Sequence, residues 1–315
     1  MPGSDKKIVN RIKDRMLLGT IYDQLMLKLR YNDEKTHFLY SVMAGQKHRM
    51  IYYKRLKNRY LSKATSDCPW EKLPKTDNKD TVFVMWLQGI ENAPEIVRKC
   101  IDSQKRALPD KKFVIIDSEN YREYVRLPDY VISKWEKGII GNAHFSDLIR
   151  NELLIKYGGF WIDATVFMTD NEIVSYAQRY PFFMFSFYYF GFNPEIMELN
   201  NWFIYSCSNN NMLCLLQKML YMYWEDYDRA INYYIYQIFE TIVNEFYEEE
   251  YRAIPILSQA QSHVLATYIY DDFDKEKYEF LKKTCGVHKL STGFDADKLC
   301  RKGSFYDVVI NQGNY

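Results

Sequence analysis

Two acidic residues and an arginine stand close together in residues 144–167, HFSDLIRNELLIKYGGFWIDATVF. Asp147 and Arg150 are three residues apart, so in a helix they share one face. Asp163 follows the apolar run 160–162, and a carboxylate at the end of a buried strand costs free energy unless its charge is needed there. Asp147 is suited to accept hydrogen bonds from sugar hydroxyls, Arg150 to donate them to hydroxyls or phosphate, and Asp163 to hold a divalent cation on a diphosphate.

Each of these residues also has a plainer explanation. Asp147 and Arg150 alone could form a surface ion pair, and Asp163 alone could be a turn residue after a strand. Taken together, and separated by Gly158 and Gly159, the three residues indicate a binding site at one edge of a sheet.

A helix, a tight turn and a strand must position this group. Ser146 is predicted as the helix N-cap, and Gly158 and Gly159 end the helix, because the left-handed conformation after a helix favours glycine. The core-facing stripe of this helix consists of Leu148, Ile149, Leu153 and Leu154.

A strand–helix–strand unit precedes the group. Residues 81–87, TVFVMWL, predict a strand, a helix starts near Pro94, and residues 112–116, KFVII, predict a second strand. Such a unit implies a parallel sheet with a right-handed crossover, and nucleotides bind these sheets at the carboxyl ends of the strands. The sequence has neither a GxGxxG nor a GxxxxGK[ST] loop, which argues against a classical dinucleotide fold and a P-loop NTPase.

The remaining chain continues the α/β pattern. Residues 180–192 and 201–207 are predicted strands, residues 209–211 cap a helix that runs to about Trp224, and a longer helix follows over about 228–247. We place the domain boundary in the turn-rich stretch 68–80. Residues 1–75 then form a basic helical segment, and residues 76–315 form the α/β domain.

Composition excludes several classes of protein. With 47% hydrophobic residues, 13 Gly and 9 Pro in 315 residues, the chain is globular rather than disordered. It lacks a run of about 20 apolar residues and an apolar signal-peptide region, so we expect a cytoplasmic protein. The six cysteines show no CxxC spacing, which argues against a structural zinc site.

Positive charge is concentrated at one end of a nearly neutral chain. Residues 1–64 contain 15 Lys/Arg and 5 Asp/Glu, whereas the net charge of the whole chain is +1. Residues 46–63 hold seven Lys/Arg and no acidic residue. This helix is suited either to an anionic membrane surface or to plain solvent exposure. Nucleic-acid binding is not expected.

The motifs resemble those of the capsular polysaccharide synthesis family of glycosyltransferases, which is related to glycosyltransferase family 32 and more distantly to clostridial toxin glucosyltransferase domains. That family has a Ser-Asp-x-x-Arg helix, a Tyr-Gly-Gly turn and a strand ending in Asp-x-Asp, and here SDLIR is followed by KYGGFWIDAT. VFVMWLQG, ENAPEIVRKCIDS, LPDKKFVIID and LPDYVISKWEKGII look like family segments in the same order.

The resemblance implies a GT-A fold, a sugar-nucleotide donor, Mn²⁺ or Mg²⁺, and transfer with retention at the anomeric carbon. It places Asp147 and Arg150 on the donor sugar and Asp163 on the metal and ribose. Trp86, with Gln88, would lie at the uracil-binding edge of the first strand, although Trp86 could equally be a core residue.

Thr165 departs from the family pattern, because it stands where the second Asp would ligate the metal. A hydroxyl is a weaker ligand, and His288 resembles the C-terminal histidine that completes the metal site in related enzymes. A lone histidine is also compatible with a structural role. Asn232 stands where the resemblance implies a polar residue at the acceptor site, but core packing is the favoured explanation for it.

These observations predict a bacterial-type retaining transferase that moves a hexose from UDP-Gal or UDP-Glc to a lipid-linked oligosaccharide in capsule or exopolysaccharide synthesis. It would work in the cytoplasm, in contact with the inner membrane face. Two alternatives stay open: another nucleotide-sugar enzyme, such as a phosphosugar transferase, and a non-catalytic membrane-associated assembly protein of the same pathway.

Overall fold

The computed structural model of the chain describes residues 17–31, 33–187 and 198–313. The strands, numbered in chain order, are β1 Thr81–Met85, β2 Lys112–Ile116, β3 Gly159–Ile162, β4 Val166–Met168, β5 Phe182–Ser186, β6 Leu199–Ser206 and β7 Val287–Lys289. The α-helices are α1 Leu17–Leu29, α2 Glu34–Ala64, α3 Glu95–Ala107, α4 Tyr121–Tyr124, α5 Asp129–Glu136, α6 Asn142–Tyr157, α7 Glu172–Ala177, α8 Asn211–Asp226, α9 Ile235–Phe246, α10 Glu248–Arg252, α11 Val264–Tyr268, α12 Lys275–Thr284 and α13 Ala296–Leu299. Short 3₁₀ helices span Pro69–Lys72, Ile90–Asn92 and Gln261–His263, and a π-helix spans Tyr306–Asn311.

A five-stranded sheet in the order β2-β1-β3-β6-β5 forms the centre of the molecule. β1 pairs in parallel with β2 and with β3, β6 is antiparallel to β3, and β5 is antiparallel to β6. Only β6 therefore runs against the other strands of this sheet. β4 and β7 form a separate antiparallel pair.

Helices cover both faces of the sheet, because side chains alternate along each strand. Phe83 and Met85 of β1 belong to a hydrophobic core shared with α2, α6, α8 and α9. Val82 and Val84 belong to a second core, which α3, the β4–β7 pair, α11 and α12 complete. This is the predicted α/β class, with a mostly parallel sheet between helices.

The predicted strand–helix–strand unit is confirmed. β1 and β2 are parallel and aligned from Thr81 with Lys112 to Met85 with Ile116. α3 connects them and begins directly after Pro94. The predicted strand over 180–192 is realised in β5 over Phe182–Ser186, and residues 188–192 lie outside the described part of the chain.

Two predicted helix starts are wrong. α6 begins at Asn142 with Gly141 as N-cap, so Ser146 lies inside the helix. The reason is Phe145, a fully buried side chain that extends the apolar stripe by one turn. The helix predicted from about 228 begins only at Ile235, because the preceding segment folds around the Tyr223 hydroxyl, which accepts from the Ile231 N–H and donates to a carbonyl.

The basic helix α2 is long and has two different halves. Its C-terminal half buries Leu56, Tyr60 and Ala64 in the same core as Trp161 of the central sheet. The boundary near residue 75 stays a prediction, but this half of α2 packs with the α/β core. Its N-terminal half pairs with α1, and both expose large apolar side chains: Leu18, Ile21, Tyr22, Leu25, Leu29, Phe38, Leu39, Val42 and Met43.

Ion pairs neutralise part of the predicted basic face of α2. Lys47 Nζ lies 2.6 Å from Asp23 Oδ1, and Arg59 Nη2 lies 2.8 Å from Asp226 Oδ2. Lys57 pairs with Glu245. Among the described helices, none is both long enough and apolar enough to cross a bilayer.

Candidate active site

A cavity of about 240 Å³ opens at the carboxyl ends of β1 and β3. Its wall combines residues from the end of β1, from the first half of α6, from the segment that follows β3, and from β6 and α9. Ligands of open α/β sheets bind at this edge. The lining side chains are Met85, Trp86, Ala143, His144, Ser146, Asp147, Arg150, Trp161, Asp163, Ala164, Thr165, Asn201, Tyr233 and Gln237.

The Gly-Gly turn brings α6 and β3 together as predicted. Gly158 and Gly159 have φ values of +66° and +101°. A Cβ on Gly158 would lie 2.9 Å from the Ser208 backbone nitrogen, and one on Gly159 would lie 2.7 Å from the Thr81 carbonyl oxygen. Both conformation and space therefore require glycine here, so that β3 can enter the sheet directly beside β1.

Asp147 and Arg150 form the predicted pair on one face of α6. Arg150 Nη1 donates to Asp147 Oδ1 at 2.6 Å, and Asn201 Nδ2 of β6 donates to the same oxygen at 2.9 Å. Arg150 is not a surface residue, because its side chain is only 6% exposed and its guanidinium lies 4.6 Å from the centre of the Trp161 ring. The plain surface ion pair is thus excluded.

A tight turn directs Asp163 and Thr165 toward the cavity. The Val166 N–H donates to the Asp163 carbonyl at 3.0 Å. The buried amide of Gln104, on α3, donates to the carbonyls of Asp163 and Val166 at 3.0 and 2.8 Å. These bonds hold the backbone of the turn against α3.

The carboxylate of Asp163 contacts donors on both oxygens. Oδ1 accepts from Trp161 Nε1 at 2.8 Å and from Arg150 Nη2 at 3.3 Å. Oδ2 lies 3.2 Å from Nζ of Lys289, which also donates to Thr165 Oγ1 at 2.5 Å. Two carboxylates and two cations thus form one network, Asp147–Arg150–Asp163–Lys289.

The predicted nucleotide-binding residues separate into two groups. Trp86 lines the cavity, is half-buried, and its indole N–H is buried without a partner among the described residues. Thr165 lines the cavity as well. Gln88 is exposed beyond the end of β1, and it is not among the lining residues.

His288 does not reach Asp163, contrary to the predicted ligation. It is fully buried in β7, opposite Phe167 of β4, and burial lowers the pKa of its imidazole to about 4. Because neighbouring residues of a strand point to opposite faces, Lys289 reaches Asp163 and His288 faces the core. Both nitrogens of its imidazole are buried and have no hydrogen-bond partner among the described residues.

The atoms around Asp163 do not fit the coordination of a divalent cation. Mg²⁺ and Mn²⁺ sites need several oxygen ligands, and the carboxylate of Asp163 is already in contact with Arg150 and Lys289. Thr165 adds only a hydroxyl, and it accepts from the same lysine. Within the described ranges, no group of three or more His, Cys, Asp or Glu side chains could hold a metal ion.

Lys289 is the residue that the sequence did not reveal. It contacts Asp163 and Thr165, which line the cavity, only because β7 pairs with β4, and nothing in the pattern VHK marks that pairing. Asn201, Gln237 and Tyr233 were missed as well. Gln237 Nε2 donates to Asn201 Oδ1 at 3.3 Å, and Tyr233 is 70% exposed at the cavity rim. Oδ1 of the neighbouring Asn232 accepts from the Tyr234 N–H at 2.9 Å, and its place at the acceptor stays a prediction.

A second acidic pair consists of Glu240 of α9 and Glu198, the residue that precedes β6. Asn244 Nδ2 donates to Glu198 Oε2 at 2.6 Å and also to Glu240. Burial raises the pKa of Glu198 to about 7. Burial, together with repulsion from Glu198, raises the pKa of Glu240 well above 4.5. Both carboxyl groups therefore keep a proton to higher pH than an exposed glutamate does.

Comparison with known proteins identifies the family. One solved structure that resembles the chain is a glycosyltransferase involved in the glycosylation of the major capsid of PBCV-1, with 11% identity, a TM-score of 0.36, and coverage of 69% of this chain and 95% of that one. No residue role transfers at that distance. No curated protein matches significantly. The model of the capsular polysaccharide synthesis protein family matches residues 28–309. The chain therefore belongs to the capsular polysaccharide synthesis protein family.

Proposed function

We propose that the protein is a retaining glycosyltransferase of GT-A type, which transfers a hexose from UDP-Gal or UDP-Glc to a lipid-linked oligosaccharide. The main support is the convergence of Asp147 and Asp163, from a helix and a strand, on one cavity at the carboxyl ends of parallel strands. Membership of a capsular polysaccharide synthesis family agrees with this reaction.

Each wall of the cavity has a distinct task in this proposal. Asp147, held by Arg150 and Asn201, accepts hydrogen bonds from hydroxyls of the donor sugar. The exposed ring of Tyr233 gives a sugar an apolar face to lie against. Trp86, at the end of β1, offers its ring and its unpaired N–H to the base.

Arg150 acts mainly as a positioning residue. Its guanidinium joins the two carboxylates, is almost inaccessible, and so keeps both carboxylates at the cavity wall. The leaving diphosphate gains negative charge as the glycosidic bond loosens, and a preorganised cation beside it lowers the free energy of that transition state. Retention is proposed from the family resemblance of residues 146–165.

A hydrolysis and transfer assay tests the function. Purified protein is incubated with a panel of UDP- and GDP-sugars, and release of the free nucleotide is measured. We expect slow release from a UDP-hexose. Asp163→Asn should reduce the rate by about 100-fold or more, because Arg150 and Lys289 lose the carboxylate charge that both of them contact. Asp102→Asn, at an exposed position of α3, is the matched control and should leave the rate unchanged.

The assay also separates the alternatives. A pyrophosphorylase or phosphosugar transferase would release a sugar phosphate rather than a nucleoside diphosphate. A non-catalytic assembly protein would bind without turnover under all conditions. Near-normal transfer by Asp163→Asn would contradict the proposed mechanism.

For the acceptor side we propose contact with an anionic membrane surface through the apolar residues of α1 and the first half of α2. Leu18, Leu25 and Leu29 are 83%, 52% and 73% exposed and lie on one face of α1. Lys28 and Lys35 add positive charge nearby. An apolar face beside basic residues is typical of helices that lie in a membrane interface.

Co-sedimentation with liposomes tests this surface. Binding to phosphatidylglycerol vesicles should exceed binding to phosphatidylcholine vesicles, and Leu25→Ser with Phe38→Ser should reduce it severalfold. Phe280→Ser, which removes an equally exposed ring from α12, should have no effect. Equal binding of both lipids would remove the electrostatic part of the proposal.

A further inference from the structure

We propose that the ammonium group of Lys289 takes the place of a divalent cation, so that the site binds the diphosphate of its donor without Mn²⁺ or Mg²⁺. This inference rests on the proposed function, since it concerns how a nucleotide sugar is held. It is carried by the contacts of one side chain, which arrives from β7 at the turn where Asp163 and Thr165 stand.

Lys289 occupies the space between the two residues that correspond to the Asp-x-Asp pair. Its Nζ lies 3.2 Å from Asp163 Oδ2 and 2.5 Å from Thr165 Oγ1. A divalent cation bound by both positions would need the same space. The change from a second carboxylate to Thr165 therefore fits the presence of the lysine, because a threonine hydroxyl can accept from an ammonium group.

The charge of the network leaves little attraction for a divalent cation. Asp147 and Asp163 carry two negative charges, and Arg150 and Lys289 carry two positive charges. A metal ion at Asp163 would have to displace Lys289 and then stay beside a like charge. Displacement would also leave Lys289 without its carboxylate partner.

Lys289 is the more accessible of the two cations. Its side chain is 20% exposed, compared with 6% for Arg150. An ammonium has three N–H groups, and its contacts with Asp163 and Thr165 use two of them. One N–H remains for a phosphate oxygen. The positive charge that a metal would bring is thus already present on a side chain.

Calorimetric titration with UDP tests the proposal. The wild-type protein should bind UDP with the same Kd, within about twofold, in EDTA and in excess Mn²⁺. Lys289→Met should weaken UDP binding about 10- to 100-fold, the loss of a hydrogen bond to a charged group. Lys282→Met, whose ion pair with Glu279 is similarly exposed, is the matched control and should bind like the wild type.

Two further variants guard against misfolding. Lys289→Arg keeps the charge and should bind UDP more tightly than Lys289→Met. The double substitution Thr165→Asp with Lys289→Ala restores two carboxylates and removes the ammonium. It should bind UDP only with Mn²⁺ and should reduce the free Mn²⁺ signal in electron paramagnetic resonance, which the wild type should leave unchanged.

The outcomes separate this inference from the proposed function. UDP binding by the wild type that requires Mn²⁺ would overturn the role of Lys289 and leave the glycosyltransferase proposal intact. Normal UDP binding by Lys289→Met would do the same. Failure of the wild type to bind UDP, GDP or ADP under any condition would overturn both.

Discussion

The carboxylates at the cavity and the pair formed by Glu198 and Glu240 are compensated differently. Asp147 and Asp163 are in contact with Arg150 and Lys289. Glu198 and Glu240 instead share the neutral amide of Asn244, and the pKa of each is raised. In one region cations lie beside the carboxylates, and in the other burial favours the protonated form of each carboxyl group.

The difference shows that burial does not by itself determine whether an acidic side chain is charged. A cation beside the carboxylate favours the charged form and opposes the effect of burial. The adjacent residues of β7 repeat the contrast, since Lys289 pairs with a carboxylate while burial lowers the pKa of His288 to about 4. A site that binds charged ligands needs cations beside its carboxylates, as Arg150 and Lys289 are at Asp147 and Asp163.

Removing the guanidinium of Arg150 from the charge network should have the largest effect on the free energy of unfolding. Arg150→Met leaves Asp147 and Asp163 without their shared cation, and we expect a loss of about 3–5 kcal/mol in the free energy of unfolding. Urea denaturation followed by circular dichroism measures it. Arg252→Met removes an exposed ion pair with Glu248 and should cost less than about 1 kcal/mol. Equal losses in both variants would contradict the comparison.

Removing the buried histidine should have an intermediate effect, visible in the pH dependence. Because the pKa of His288 is lowered from 6.5 to about 4, its contribution to stability is present above pH 6.5 and is lost as pH falls toward 4. His288→Leu should therefore gain about 2 kcal/mol relative to wild type between pH 7 and pH 4.5.

The same denaturation series contains its control. His37→Leu, at an exposed position of α2, should keep a constant difference from wild type across this range. A constant difference for His288→Leu would show that the imidazole titrates normally.

The smallest effect is expected at Glu240, where burial favours the protonated form of the carboxyl group. Glu240→Gln removes a carboxyl group whose pKa is raised, and that group destabilises the fold as pH rises above about 4.5. The variant should be more stable than wild type by about 1 kcal/mol at pH 8, with a smaller difference at pH 5. Glu248→Gln, on the exposed helix α10, should show no such dependence. Destabilisation of Glu240→Gln at pH 8 would mean that the acidic pair is ionised.

Local patterns predicted the elements that carry Asp147, Arg150 and Asp163. A helix, a Gly-Gly turn and a strand follow one another without interruption, so their side chains must meet beside the parallel strand β1. The strand–helix–strand unit was predictable for the same reason. Family resemblance added the identity of the pocket, which composition and spacing alone do not give.

Lys289 could not be predicted, because it lies 124 residues after its hydrogen-bond partner Thr165. β4 and β7 have three residues each, too few for a periodic pattern to indicate their pairing. A shift of one residue would have exchanged Lys289 with His288 and reversed the interpretation of the metal site. The start of α9 was missed because a tertiary contact of Tyr223 overrides local propensity.

The pairing of β4 with β7 has a consequence for the order in which the site is assembled. Every other member of the charge network lies between residues 147 and 163, and the other lining residues extend only to Gln237, so Lys289 is the last residue of the site in chain order. Until β7 has paired with β4, Asp163 lacks one of its two cations. The charge balance of the donor site is thus complete only when these two short strands have paired.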